Sequence, residues 1–366
     1  MVDKPLTIKT PGKLMIAGEF AVLVPHQRIV VMAVNRFVYT TIQSSQDNML
    51  SLENFNLELE WDYVDQEIHI HSDDKRKTFV ENAMTTVYTY LWENDIPVTP
   101  VHISVRSELN DASGLKYGLG SSAAVVTSVI YAILKKFLPT DPPLSLIFKL
   151  ASITHVRTQG NGSGADVAAS TYGGVLAYTS FQAEWLKKAI ETTGSITELV
   201  HKDWIYWSVK PIHLPENVQV CIGWTGTPAS TSKLVSHVLA LRESNPAAFE
   251  AFIKRSDMAV MMFLQGAKTG HFPELFRGIK MNRQALVDVG HAADTIIETP
   301  LLSALSDMAE QYGGAGKSSG AGAGDCGIAF LPPEINAEEM EQKWKKQGIK
   351  PLALTISHDG SVVWEP

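Results

Sequence analysis

The sequence predicts a two-domain α/β (α+β) protein, and three observations carry that expectation. The chain is 366 residues long, too long for one ordinary core and suited to two. Stretches with period-two and helical apolar patterning alternate in both halves. The texture changes across residues 195–215, where Pro211 and Pro215 flank a linker-like stretch, so the expected division is 1–210 and 211–366.

In the first half, Leu6-Thr7-Ile8, Leu14-Met15-Ile16, Ile29 to Ile42 and the alternating Leu50 to Trp61 read as strands, rich in β-branched and aromatic residues. Thr78 to Asn94 reads as a helix that stops before Pro97, and Val101 to Val105 as another alternating strand. After the loop 107–120 comes an apolar helix, Ser121 to Phe137, and beyond Pro142-Pro143 a second from Leu144 to about Arg157. In the second half Val218 to Trp224 reads as a strand, followed by three or four helices between Ser232 and Tyr312. The strand Cys326 to Leu331, a helix near Ala337 to Gln347, and strands at Leu352 to Ile356 and Val362-Val363 complete the chain.

Composition excludes several function classes. The apolar share is 45 %, which argues against disorder, and the formal net charge of −8 argues against nucleic acid or an anionic membrane as partner. No segment offers the ~18 uninterrupted apolar residues of a spanning helix, and the start shows no leader pattern, so a cytoplasmic location is expected. Two cysteines, Cys221 and Cys326, build neither a disulfide framework nor a cysteine zinc site, and are expected to be reduced and buried.

The chemical signal is Tyr117-Gly118-Leu119-Gly120-Ser121-Ser122-Ala123-Ala124, a glycine turn opening directly into an apolar helix. Free N–H groups and the positive end of the helix dipole make such a start an anion site. It is no Walker loop, because Ser121 stands where the lysine is required. A dinucleotide fingerprint is matched by Gly118, Gly120 and Ala123, but the polar turn 111–116 precedes it where a buried strand is needed. A capped helix without ligand is the third reading of the octapeptide.

Three segments in order decide the matter. Pro11 to Leu23, PGKLMIAGEFAVL, is similar to the first motif of the superfamily of galactokinase, homoserine kinase, mevalonate kinase and phosphomevalonate kinase. Gly118 to Ala124 resembles its phosphate loop, and Ser318 to Ala329, SSGAGAGDCGIA, its third motif. A fourth segment, Gly160 to Ala168, resembles the stretch that carries the catalytic aspartate in the mevalonate and phosphomevalonate kinases. Phe20 in place of a histidine, Asp325 in place of a glycine, and Gly223-Trp224-Thr225 followed by Ser230, Thr231 and Ser232 resemble the phosphomevalonate branch.

The resemblance implies a cleft between an N-terminal mixed-sheet domain and a C-terminal α+β domain. It implies transfer of the γ-phosphate of ATP, with magnesium, to the phosphate of (R)-5-phosphomevalonate in isoprenoid synthesis. The open alternatives are mevalonate kinase, diphosphomevalonate decarboxylase, or a catalytically silent sensor of the same fold. The implied catalytic residues are Lys13 and Asp166; Gly118, Leu119, Gly120, Ser121, Ser122 and Ala123 would hold ATP, with Ser122 on the metal. The acceptor would meet Lys13, Glu19, Arg157, Ser163, Lys210, Ser230, Ser232, Gly320, Ala321, Gly322 and Asp325, with Arg157 ranked first among the cations as a phosphate fork. A glutamate that relatives place about a dozen residues before the aspartate is missing, because 142–165 contains no acid, and His155 stands in that neighbourhood. Partners are expected to be small molecules only, and the protein a monomer or homodimer.

Overall fold

The computed structural model describes residues 4–111, 113–228 and 231–365, with backbone alone at 231 and 232. The chain opens with β1 (Leu6–Ala17), β2 (Arg28–Ser44), β3 (Met49–Leu52), β4 (Leu57–Val64) and β5 (Glu67–Ile70). Then come α1 (Thr78–Glu93), β6 (Val101–Ser107), α2 (Ser121–Phe137), α3 (Leu144–Gln159) and α4 (Ala165–Tyr172). β7 (Val175–Thr179), α5 (Ala183–Thr193), α6 (Ile196–His201) and β8 (Ser208–Ile212) follow. The remainder is β9 (Gln219–Trp224), α7 (Thr231–Ser244), α8 (Pro246–Thr269), α9 (Phe272–Ala292), α10 (Pro300–Gln311), β10 (Ala315–Ser318), β11 (Cys326–Leu331), α11 (Ala337–Lys346), β12 (Lys350–Leu352) and β13 (Val362–Val363).

The long strand β2 organises the first sheet. β1 runs antiparallel along one edge; on the other, Val38–Ser44 pair with β6 and Arg28–Met32 with β7. The sheet order is β13-β1-β2-β6-β3-β4-β5, with β7 and β8 branching from β2. Ile29 to Val34 are all buried because both faces of this stretch are covered, and α2 packs on it through Ala123, Ala124, Val126 and Ile130. The second sheet, β10-β11-β9-β12, holds a separate core on one side, built from Leu305, Trp344, Met340 and Cys221.

Four local expectations change. Leu6–Ile8 and Leu14–Ile16 are one strand, which passes Pro11-Gly12 through a register shift that accommodates a residue without an N–H. Leu50 to Trp61 is two strands, because Glu53–Phe55 form a 3₁₀ turn closed by Asn56 at φ 52. The strand expected at Leu352–Ile356 ends at Leu352, and Ile356 makes one isolated bridge to Val34. The predicted helix from Leu144 extends to Gln159, where Gly160 caps it at φ 75.

A cut between 210 and 211 runs through β8, and the last strand returns to the first sheet, where Val362 and Val363 pair with Lys9 and Ile8. Both cysteines are buried thiols, and burial pushes Cys221 up to about 12. Among the described residues no helix is long and apolar enough to cross a membrane.

Candidate active site

A cleft of about 900 Å³ lies where β1, the start of α2, α4 and the 319–325 loop meet. Its shape begins with the glycine turn. Gly118 and Gly120 take φ 81 and 75, and Gly120 is the residue before α2, with no side chain capping the helix. The first N–H groups of α2 are therefore left for an anion, with the dipole of a 17-residue helix behind them. Gly118 to Ser122 line the cleft, whereas Ala123 faces the core and is fully buried.

Lys13 ties β1 to this turn twice. Its backbone N–H donates to the Leu119 carbonyl at 2.8 Å, and its Nζ to the Gly118 carbonyl at 3.1 Å. A Cβ added at Gly120 would lie 2.9 Å from Lys13 Cγ and 3.5 Å from Asp166 Cβ, so the bare glycine lets a lysine and a carboxylate close around one point. Asp166 stands in the first turn of α4, where its Oδ1 accepts the Val167 N–H at 3.0 Å. The turn before it is fixed by Tyr178, whose hydroxyl donates to the Ser163 carbonyl at 2.6 Å. Burial, and then the charge of Asp166, hold the Tyr178 phenol well above its ordinary value, so it stays a donor.

On α3, His155 is buried and its Nε2 lies 3.3 Å from Ser122 Oγ. Arg157, the cation ranked first for the acceptor, lies off this face. Two helical steps turn a side chain about 200°. With His155 aimed at Ser122, Arg157 therefore points away; it is exposed and does not line the cleft. Gln159, four residues beyond His155, returns to the cleft face. Lys210 sits exposed on β8, the outer strand beyond β7, and does not line the cleft. The cleft cations are instead Lys13, Lys116, Lys187 and Arg242, facing the acids Glu19, Asp166, Glu184 and Asp325. Lys187 and Arg242 escaped the sequence reading because they sit in ordinary amphipathic helices, α5 and α7.

The third glycine segment closes the other wall. Ser319 Oγ bonds both the N–H and the carbonyl of Met15 at 2.9 Å, fastening the loop to β1. Glu19 Oε1 accepts from Lys317 Nζ at 2.5 Å and from the Gly320 N–H at 3.3 Å. Gly320 and Ala321 line the cleft; Gly322 does not, because it packs on Ile297, whose carbonyl would lie 2.3 Å from an added Cβ. Asp325 leans on the glycine turn, with its carboxylate 2.6–2.7 Å from where a Cβ of Gly118 would be. The expectation for Ser230 lies outside the described residues, and so does the side chain of Ser232.

The model of the GHMP kinases N-terminal domain matches residues 79–174, and that of the GHMP kinases C-terminal domain residues 263–350. These spans include the phosphate turn with Asp166, and the third glycine loop. A phosphomevalonate kinase of Streptomyces sp. (strain CL190) is 31 % identical over 364 residues, 96 % of either chain. A mevalonate kinase of Schizosaccharomyces pombe is 24 % identical over 93 % of this chain and 86 % of its own. Among solved structures, the Lin0012 protein from Listeria innocua superposes with a TM-score of 0.93 at 37 % identity, covering 99 % of this chain and 100 % of its own. Streptococcus pneumoniae phosphomevalonate kinase in complex with phosphomevalonate and AMPPNP superposes at 0.83 with 24 % identity, over 96 % of this chain and 99 % of its own.

Proposed function

The chain belongs to the GHMP kinase family, and we propose that it works as follows: it transfers the γ-phosphate of ATP to the phosphate of (R)-5-phosphomevalonate, giving 5-diphosphomevalonate and ADP. The observation that carries this reading is the closure of Lys13 and Asp166 around Gly120 at the uncapped start of α2. The N–H groups of that turn hold the nucleotide phosphates, and the Lys13 ammonium gathers the charge that spreads over the transferring group. An acceptor oxygen bonds to the terminal phosphorus as its bond to the ADP oxygen breaks.

The acceptor is a phosphate monoester with a second pKa near ~6, so near neutrality it is already ionised and needs no strong base. Asp166 therefore orients: it sets Lys13 and receives any proton the acceptor still carries. Glu19, Ser163, Gly320, Ala321 and Asp325 line the acceptor's surroundings.

Magnesium fits as a partial site. Among the described residues no cluster of three His, Cys, Asp or Glu side chains could hold an ion alone. Ser122 supplies one hydroxyl at the turn, and magnesium readily takes the rest of its shell from nucleotide oxygens and water. When bound, the ion neutralises charge on the β- and γ-phosphates. His155 lies 3.3 Å from the Ser122 hydroxyl and orients it. We assign the enzyme to the cytoplasm, as a monomer or homodimer without nucleic-acid or membrane partners, in keeping with its net charge of −8.

An ADP-release assay with three acceptors tests the reading. Phosphomevalonate is expected to support turnover, and mevalonate and diphosphomevalonate are not. ADP formed with mevalonate, or carbon dioxide released from diphosphomevalonate, would overturn it.

A further inference from the structure

The cleft has an electrostatic difficulty. Its four cations are matched by four carboxylates, yet both substrates of the proposed reaction are polyanions. One of those carboxylates, Glu19, is 3 % exposed, and its Oε2 has no hydrogen-bond partner. Left ionised and alone, it would repel an anionic acceptor from the wall between Phe20 and Gly320.

Lys317 answers that charge from behind the wall. It comes from β10 of the second sheet, is 0 % exposed and does not line the cleft. Its Nζ donates to Glu19 Oε1 and to the Ser318 carbonyl, both at 2.5 Å, while the Gly320 N–H reaches the same Oε1 at 3.3 Å. One carboxylate thus holds a buried ammonium and the first glycine of the third loop together. Glu19 also lies six residues past Lys13, beyond the end of β1, and lines the cleft beside Gly320.

Resting on the acceptor assignment above, we propose that Lys317 is a positioning residue for the reaction: by neutralising Glu19 from the far side and fixing the Gly320 turn, it lets the cleft accept a polyanionic acceptor. Lys317 touches no substrate; it acts through Glu19. The pair also spans the two halves of the chain, 298 residues apart in sequence, so this wall is assembled only when Lys317 of β10 reaches Glu19 just past β1.

Steady-state kinetics on the full chain test this with the parent, Lys317→Met, Glu19→Gln and the double variant. Lys317→Met is expected to raise the KM for phosphomevalonate by about tenfold or more, as an uncompensated like charge would, while the KM for ATP moves far less. The double variant is expected to match Glu19→Gln in acceptor KM. A lysine that only supports the fold would lower the melting temperature of Lys317→Met and leave its acceptor KM unchanged, which would overturn the inference. If Lys317→Met does not fold, Glu19→Gln against the double variant decides: equal acceptor KM values sustain the inference, and a further large rise in the double variant overturns it. Turnover of phosphomevalonate by the parent enzyme tests the functional reading separately, so the failure of one is distinguishable from the failure of the other.

Discussion

The two glycine loops that face each other across the cleft look alike in sequence and are held by different means. The 117–122 turn is set by its own backbone: two glycines at positive φ lead into a helix, and a single lysine from β1 bonds its carbonyls. The 318–325 loop lies between two strands and is fixed by long-range contacts: Ser319 Oγ on the Met15 backbone, Glu19 with Lys317 beneath Gly320, and backbone bonds to Ile297 and Thr227. A helix start offers unpaired N–H groups without further help, so its loop needs only the right bend. A strand-to-strand loop has no such dipole and depends on buried polar contacts to keep a ligand-facing shape.

The strongest way to break this contrast is Lys13→Met, which removes the ammonium bonded to the Gly118 carbonyl. Turnover is expected to fall by about 10³-fold or more, with an unchanged far-ultraviolet circular dichroism spectrum and a cooperative melt. Normal activity in that variant would sink the catalytic assignment.

A smaller effect sharpens the contrast glycine by glycine. Gly118→Ala puts a Cβ within 2.6 Å of Asp325 at φ 81, whereas Gly320→Ala at φ 85 meets nothing within 4 Å. Both carry backbone strain of about 1–2 kcal/mol, but only Gly118→Ala also displaces a neighbour. Gly118→Ala is therefore expected to raise the KM for ATP about tenfold or more and to melt lower than Gly320→Ala. Equal kinetic penalties in the two variants would show that the loops do not differ as described.

The smallest expected effect is a control far from both loops. Glu93 accepts bonds from the N–H groups of Ile196 and Thr197 and from the Ser195 hydroxyl at the start of α6. Burial pushes its carboxyl up, but those bonds outweigh it and hold it below the ordinary 4.5. Between the folded and unfolded values the unfolded chain binds more protons, so this contribution is full above about 4.5 and is lost as pH falls through the folded value. Glu93→Gln should flatten the acid side of the stability profile while leaving the KM values at pH 7 unchanged. A changed KM would mean that α6 is coupled to the cleft.

Much of the site was legible in the chain because its signals are local. Gly118 and Gly120 before an apolar run announce a glycine turn opening into a helix, and Asp166 in its glycine-rich setting announces a carboxylate with room beside it. Arg157 lies off the cleft because nearness in sequence says nothing about helix face; two positions from His155 is almost the opposite side. Lys210 was misplaced because a cation on an outer strand and one facing a cleft share the same letter. Lys187 and Arg242 give no local signal at all, since charged positions on α5 and α7 read as solvated faces.

The sequence by itself determined the fold class, the order of the glycine segments, the family, and the candidate pair Lys13 and Asp166, because periodicity, turn chemistry and motif spacing are properties of neighbouring residues. Only the tertiary structure decided which charges share the cleft, that Asp325 leans on Gly118, and that Lys317 stands behind Glu19. The last depends on β10 meeting the residue Glu19 across 298 residues of chain, and an electrostatic partner supplied by such long-range packing has no counterpart in local pattern.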